Sequence, residues 1–297
     1  MNFFQFNKLF ATEQDCIDYF IKIRYPKGMN CNHCKNKEKI YKIKSQPKKF
    51  HCNNCNGHFS IFKDTIFEKS DTDLRKWFYA IHLFLNSKES LSGYQLQREI
   101  GVTYKCAWRI LKKIREAMSN SETKDMFNGM IEVDETYVVK DDEDDDNKTT
   151  KRGRGTNKNV VVGVLDRDNK VVKAEVMKKN LEDSKINSEQ LLSIINKIIK
   201  DDTTIITDEF KGYNLVSKST NHKHLRVNHS KSYVGENGEH VNNIESFFST
   251  LKRGIIGIYH HVSSKYIQNY VDEFCFRYNN KSNGDVFNLV LRQGILV

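Results

Sequence analysis

Four of the chain's seven cysteines stand in two pairs, Cys31-x2-Cys34 and Cys52-x2-Cys55, with 17 residues between them. No other feature narrows the fold so far. Two such pairs at this distance suit a tetrahedral Zn²⁺, each pair giving two thiolates about 2.3 Å from the metal. A module of residues 30–62 is too small to bury a sufficient core, so metal binding would supply free energy of folding. Four protein ligands leave no open coordination position, and the expected role is structural. His33, His51 and His58 lie nearby in sequence as alternative ligands. Cys16, Cys106 and Cys275 have no partner at metal-binding spacing and read as ordinary thiols.

The 297 residues have room for one large domain or several small ones. A formal charge of +10 favours a polyanionic partner, with nucleic acid the first candidate. No apolar run reaches the roughly 18 residues of a membrane span, and the N-terminal stretch mixes Lys, Glu and Asp into its aromatics. An intracellular chain without membrane contact is expected. Residues 1–29 read as a helical segment, in which "ATEQDCIDYFIKIRYP" forms the helix.

Residues 70–119 have helical periodicity, with Leu74, Trp77, Phe78, Ile81 and Leu85 on one face. Within them, "SLSGYQLQREIGVTYKCAWRILKKIREAM" reads as a helix, a Gly-Val turn and a second, basic helix. Leu96, Ile100 and Val102 would pack against Ala107 and Ile110. Lys105, Arg109, Lys112 and Lys113 on the second helix suit DNA, since such a helix can enter a major groove with its cations on phosphates.

From residue 128 the pattern turns to strands: "MIEVDETYVV", "NVVVGVLDR", "KVVKAEVM" and, after the helix "NSEQLLSIINKIIK", "TTIITD". The first two flank an acidic then basic insert, 140–158, that reads as a hairpin connection. Helices are expected at 240–253 and about 263–280. Asp134 lies in the first strand, Asp208 closes the fourth, and Glu245 stands in the later helix. Acids on adjacent strands with a third from a helix describe a ribonuclease-H-like nuclease core. Three close carboxylates would not all ionise without balancing cations. Two Mg²⁺ or Mn²⁺ ions about 3.5–4 Å apart would serve, one at the attacking oxygen and one at the leaving oxygen. Glu132, Glu135 and Glu209 are rivals that periodicity does not eliminate. Lys252 lies two helical turns beyond Glu245 on the same face.

The blocks "VDETYV", "KRGRG", "TDEFKGY" and "HVNNIESFFSTLKRGIIGIYHHVSSKYIQNYVDEFCFRYNN" resemble those of zinc-ribbon, DDE-type insertion-sequence transposases, a group related to the eukaryotic Merlin transposases. Upstream, "CNHC", "FHCNNCNGHFSIFKDTIFEKSDTDLRKWFYAIHLF" and "AWRILKKIREAM" resemble that group's ribbon and helical region, so the likeness spans about residues 28–282. It implies a mixed α+β chain: zinc ribbon, helix-turn-helix-like segment, ribonuclease-H-like catalytic core over 128–282, and a tail at 283–297. It implies that Asp134, Asp208 and Glu245 hold catalytic metals. Because some relatives use an amide where others use the acid, Asn242 and Asn243 stand as rivals at the third position. Lys252 and Arg253 would meet DNA phosphate, with His240 and Asn242 supporting the site or touching DNA. The implied activity is binding of the ends of a mobile element, metal-dependent strand cleavage, and strand transfer into target DNA by a homodimer or larger assembly. The compartment would be cytoplasm or nucleoid in a bacterium, or the nucleus for a eukaryotic element. Two other readings use the same residues: a structure-directed nuclease, and a non-catalytic DNA-binding regulator.

Overall fold

A computed structural model describes residues 1–119, 127–140, 158–177, 188–219, 222–227 and 240–295. All but the edges of the charged insert 140–158, including the "KRGRG" block, lies outside the described residues. The chain divides into two compact units, residues 1–121 with 282–297, and residues 122–281.

The first unit opens with two helices, α1 (Phe3–Leu9) and α2 (Glu13–Arg24), where the sequence pattern predicts one. Each starts at a capping box, from Asn2 and from Thr12, which satisfies amides that a helix start leaves unpaired. Strands β1 (Ile40–Lys42), β2 (Lys49–Cys52) and β3 (Gly57–Ser60) form an antiparallel sheet in chain order. Helices α3 (Leu74–Asn86), α4 (Gly93–Ile100) and α5 (Tyr104–Ser119) follow. Gly101 ends α4 in the left-handed region at φ 59°, a conformation that glycine adopts without strain, and so allows the tight turn into α5. Around this turn Leu96, Ile100, Ala107 and Ile110 are buried and Val102 is half-buried.

The second unit is a five-stranded sheet made of β4 (Met130–Lys140), β5 (Lys158–Asp166), β6 (Val171–Val176), β7 (Thr204–Asp208) and β8 (Lys223–Val227). The spatial order is β6-β5-β4-β7-β8, antiparallel across β6, β5 and β4 and parallel from β4 through β7 to β8. This is the ribonuclease-H-like arrangement. Helix α6 (Ser188–Ile198) and the short α7 (Asn214–Ser219) lie among the central elements in sequence, with α8 (Asn242–Gly254) and α9 (Ile267–Asn279) at its end. Alternation along the strands divides the core between the two faces. Val160, Val162 and Val164 pack with Leu191, Ile195 and Tyr213, while Val161, Leu165 and Ile206 pack with Ile244, Phe248 and Val271.

The stretch 283–297 is not a tail. It holds helix α10 (Val286–Ile295), which belongs to the first unit and packs against α5, α3 and α2. Val290 and Leu291 are buried, Phe287 lies 5.8 Å from the rings of both Phe10 and Phe78, and the Gly294 carbonyl accepts the Ile66 amide at 2.9 Å. Its short apolar run "VFNLVLRQGI" finds a complementary surface in these aromatics. Among the described residues no helix is long and apolar enough to cross a membrane.

Candidate functional site

Strand register brings the two aspartates together. Glu132 of β4 pairs with Ile206 of β7 in parallel, so Asp134 and Asp208, each two residues further on, sit side by side on one face. Helix α8 covers that face and carries Glu245 in its first turn. The approach depends on Gly163, the residue paired with Asp134 across β5. A Cβ there would lie 2.7 Å from Ile244 Cδ1 and 2.8 Å from Phe248 Cζ, closer than side chains tolerate. The bare backbone thus lets α8 lie against the strand. An isolated glycine inside "VVVGVL" is the sequence signal for such a close approach.

The carboxylates feel one another. Burial pushes the Asp134 carboxyl up to about 8. The neighbouring charge of Glu135 adds to this, the Glu135 amide donating at 2.8 Å opposes it, and Asp208 and Glu245 raise it further. At neutral pH the group would hold its proton unless a cation replaced it. Asp208 accepts the Phe210 amide at 2.9 Å, which fixes the strand end.

The rival acids are engaged or placed elsewhere. Glu135 points to the opposite face, where the buried Tyr213 hydroxyl donates to it at 2.8 Å. Burial and that carboxylate push the Tyr213 phenol well above its ordinary value. Glu209 is exposed beyond the strand. Glu132 is fully buried and accepts from Arg167 and from the start of α8. Asn243, a rival to Glu245, donates its side-chain amide to Glu132 at 2.7 Å. His240 also faces Glu132, at 3.5 Å from its Nδ1, while Asn242 is exposed. Lys252, two turns beyond Glu245 on the same side of α8, is exposed, and Arg253 donates to Ser249 and Thr250.

In the first unit the four paired cysteines converge, their sulfurs all within 4.8 Å of one another. Cys31–Cys55 and Cys34–Cys52 sulfur distances are 3.7 Å. The edge of a tetrahedron with bonds of about 2.3 Å is about 3.8 Å, so the cluster fits Zn²⁺. The His33 amide donates to Cys31, and the Asn36 amide and the Asn54 side chain lower the Cys34 thiol to about 6. His33 meets the His58 carbonyl at 3.2 Å, and the His51 ring lies 4.8 Å from that of His58 at a 53° tilt; none of the three histidines joins the cluster.

A profile for the ISXO2-like transposase domain matches residues 126–279, more than half of the chain. The chain belongs to the ISXO2-like transposase family. A second profile, the transposase zinc-ribbon domain, matches residues 11–58. The ISXO2-like chain is 26% identical over 260 residues to an uncharacterized protein in transposable element ISH50 of Halobacterium salinarum, covering 83% of this chain and 84% of that one. It is 30% identical over 95 residues to an uncharacterized transposase-like protein of Haemophilus influenzae, covering 32% and 75% respectively. Among solved structures, a pre-cleavage Mos1 transpososome is similar at 12% identity and TM-score 0.30, covering 73% of this chain and 78% of that chain. A simian T-cell lymphotropic virus intasome in complex with a PP2A regulatory subunit is similar at 16% identity and TM-score 0.34, covering 67% of each chain.

Several cations of the basic helix α5 of this transposase make contacts within the chain. Arg109 donates to the main-chain carbonyls of Glu68, at 2.9 Å, and Lys69, so its guanidinium supports the fold. Lys113 pairs with Glu116 at 2.6 Å, and Lys112 lies over the Trp108 ring and 3.6 Å from the same carboxylate. Lys105, in the first turn, is exposed beside Tyr104, whose ring lies 4.5 Å from that of Tyr94. Charge alone did not separate cations committed to the fold from those facing outward.

Proposed function

We propose that this transposase binds the ends of its mobile element and carries out metal-dependent strand cleavage and strand transfer into target DNA. The reading is supported by Asp134, whose carboxyl burial and the neighbouring Glu135 push up to about 8, with Asp208 of β7 and Glu245 of α8 near enough to raise it further. Among the described residues only the four cysteines already lie within ligand distance of one another, so metal binding would draw these acids together. Such a site is costly to ionise unless cations are held there. Asp134, Asp208 and Glu245 would hold two Mg²⁺ or Mn²⁺, which supply an activated oxygen nucleophile and stabilise the charge developing around phosphorus.

The chain's own groups do the rest. Asp134 gives up its proton when the site loads. Lys252 and Arg253, two turns beyond Glu245, present cations to the phosphate backbone, for which a compact ammonium suffices. The start of α5, with Lys105 exposed, is the groove-facing part of the helix-turn-helix, since recognition helices read bases from their N-terminal residues. Cys31, Cys34, Cys52 and Cys55 hold a structural Zn²⁺ with no open position. Two element ends must be joined, so a dimer or larger assembly on DNA is the working unit.

The test uses the purified full chain and DNA carrying the element's own ends, with Mg²⁺, with EDTA, and with Glu245→Gln. Joined products that need Mg²⁺ and vanish with the substitution are expected. Cleavage without joining would leave a nuclease, and tight binding without cleavage under Mg²⁺ or Mn²⁺ would leave a regulator.

A further inference from the structure

Burying a carboxyl group is expensive unless it is well partnered, and Glu132 is one that the proposed chemistry does not use. It is 0% exposed. Its Oε1 accepts from Arg167 Nε at 2.6 Å and Asn243 Nδ2 at 2.7 Å, and its Oε2 accepts the main-chain amides of Asn243 and Ile244, each at 3.0 Å. Arg167 also donates to the His240 carbonyl, just before the helix. Helix α8 needs this help. Its N-cap is Val241, which offers no side-chain acceptor, so amides of the first turn would otherwise lack partners. A carboxylate near a helix start also meets the positive end of its dipole.

The capping carboxylate comes from near the start of β4, two residues before Asp134 on the same face. The amides it holds belong to the two residues that follow Asn242, the next being Glu245. We infer that Glu132 is a positioning residue that clamps the first turn of α8 to β4 and so sets Glu245 opposite Asp134, with Arg167 neutralising and orienting it. The inference rests on the proposed metal site for its consequence, and on hydrogen bonds alone for the clamp. Both oxygens of Glu132 carry two donors each, leaving it no lone pair for a metal.

The test compares the full-length protein with Glu132→Gln and Arg167→Gln, with Asp134→Asn as reference. Amide hydrogen exchange is read in metal-free protein, Mn²⁺ binding by electron paramagnetic resonance, and end cleavage against Mg²⁺ concentration. Losing a hydrogen bond to a charged group should speed exchange at the Asn243 and Ile244 amides about tenfold or more in Glu132→Gln, while the β5 amides keep their protection. Weakened Mn²⁺ binding should accompany it, with cleavage recovered in part by raising Mg²⁺ and with metal-free DNA binding unchanged. Arg167→Gln should give the same pattern in milder form. Unchanged exchange at those two amides would overturn the clamp. So would Glu132→Cys cleaving DNA with Cd²⁺ but not with Mg²⁺, which would make residue 132 a metal ligand. Should Asp134→Asn bind Mn²⁺ as tightly as the parent, the metal-site reading would fail, and the exchange result would still decide the clamp.

Discussion

Replacing Gly163 with alanine adds one methyl group at the point where α8 meets the sheet. The new Cβ would lie 2.7 Å from Ile244 Cδ1 and 2.8 Å from Phe248 Cζ, against an ordinary contact distance of 3.4–4 Å. Both neighbours are buried, so the helix must retreat by about 0.7–1 Å or its side chains must leave their rotamers, at a cost of about 1–3 kcal/mol. Glu245 follows Ile244 directly, so the displacement reaches the carboxylate set, where a misplacement of about 1 Å can cost about 100-fold in rate. The chain provides its own control. Its two tryptophans, Trp77 and Trp108, both lie in the first unit. Tryptophan fluorescence thus reports on the first unit, while the expected change lies in the second: hydrogen exchange in β4, β5 and α8 accelerates and end cleavage falls by one to two orders of magnitude. A variant with unaltered exchange in these elements and full cleavage would refute the claim that the helix seats on a bare backbone.

Other outcomes follow from charge and ligation. A carboxyl raised from 3.8 to about 8 binds its proton more tightly in the folded chain than in the unfolded one, so metal-free stability should fall as pH rises between those values. Mn²⁺ competes with that proton, and its affinity should climb about tenfold per pH unit up to about pH 8 and then level off; Mn²⁺ titrations at pH 6, 7 and 8 would show it, with the dependence absent in Asp134→Asn. Zinc analysis should find one ion per chain, and Cys52→Ser should lose it and unfold the ribbon, seen as lost exchange protection in β2 and β3. Lys105→Ala should weaken DNA binding and reduce its salt slope by about one, whereas Arg109→Ala should lower stability by about 1–3 kcal/mol because it strips a donor from two carbonyls.

Much of this was legible because it rests on local chemistry. The cysteine spacing gives the ribbon, and the alternating runs from Met130 to Val176 give three strands, because side-chain period follows directly from backbone geometry. The edge strand β8 escaped, since "KHLRV" is short and mostly polar, with Val227 alone fully buried. Helix α1 escaped for a similar reason: its aromatics are evenly strewn, and only Phe6 is buried within it. At the carboxylate site, Asp134, Asp208 and Glu245 came from position on elements together with family resemblance. What no periodicity could supply was the assignment of Glu132, Glu135 and Asn243, whose roles depend on partners 35 to 112 residues away. The same holds for Arg109, whose acceptors are main-chain atoms and leave no trace in residue type.

Helix α10 gives the chain a schedule. The first unit is begun by residues 1–121 and completed only by residues 282–297. At synthesis rates of about 5–20 residues per second, the intervening stretch occupies a ribosome for roughly 10–30 s. Throughout that interval Phe10, Phe78 and Ile66 lack the partners that α10 brings them. A product stopped at residue 281 would carry every carboxylate of the second unit and an unfinished first one. Helix α10, made long after the aromatics it covers, thus closes apolar surface that the earlier part of synthesis leaves open.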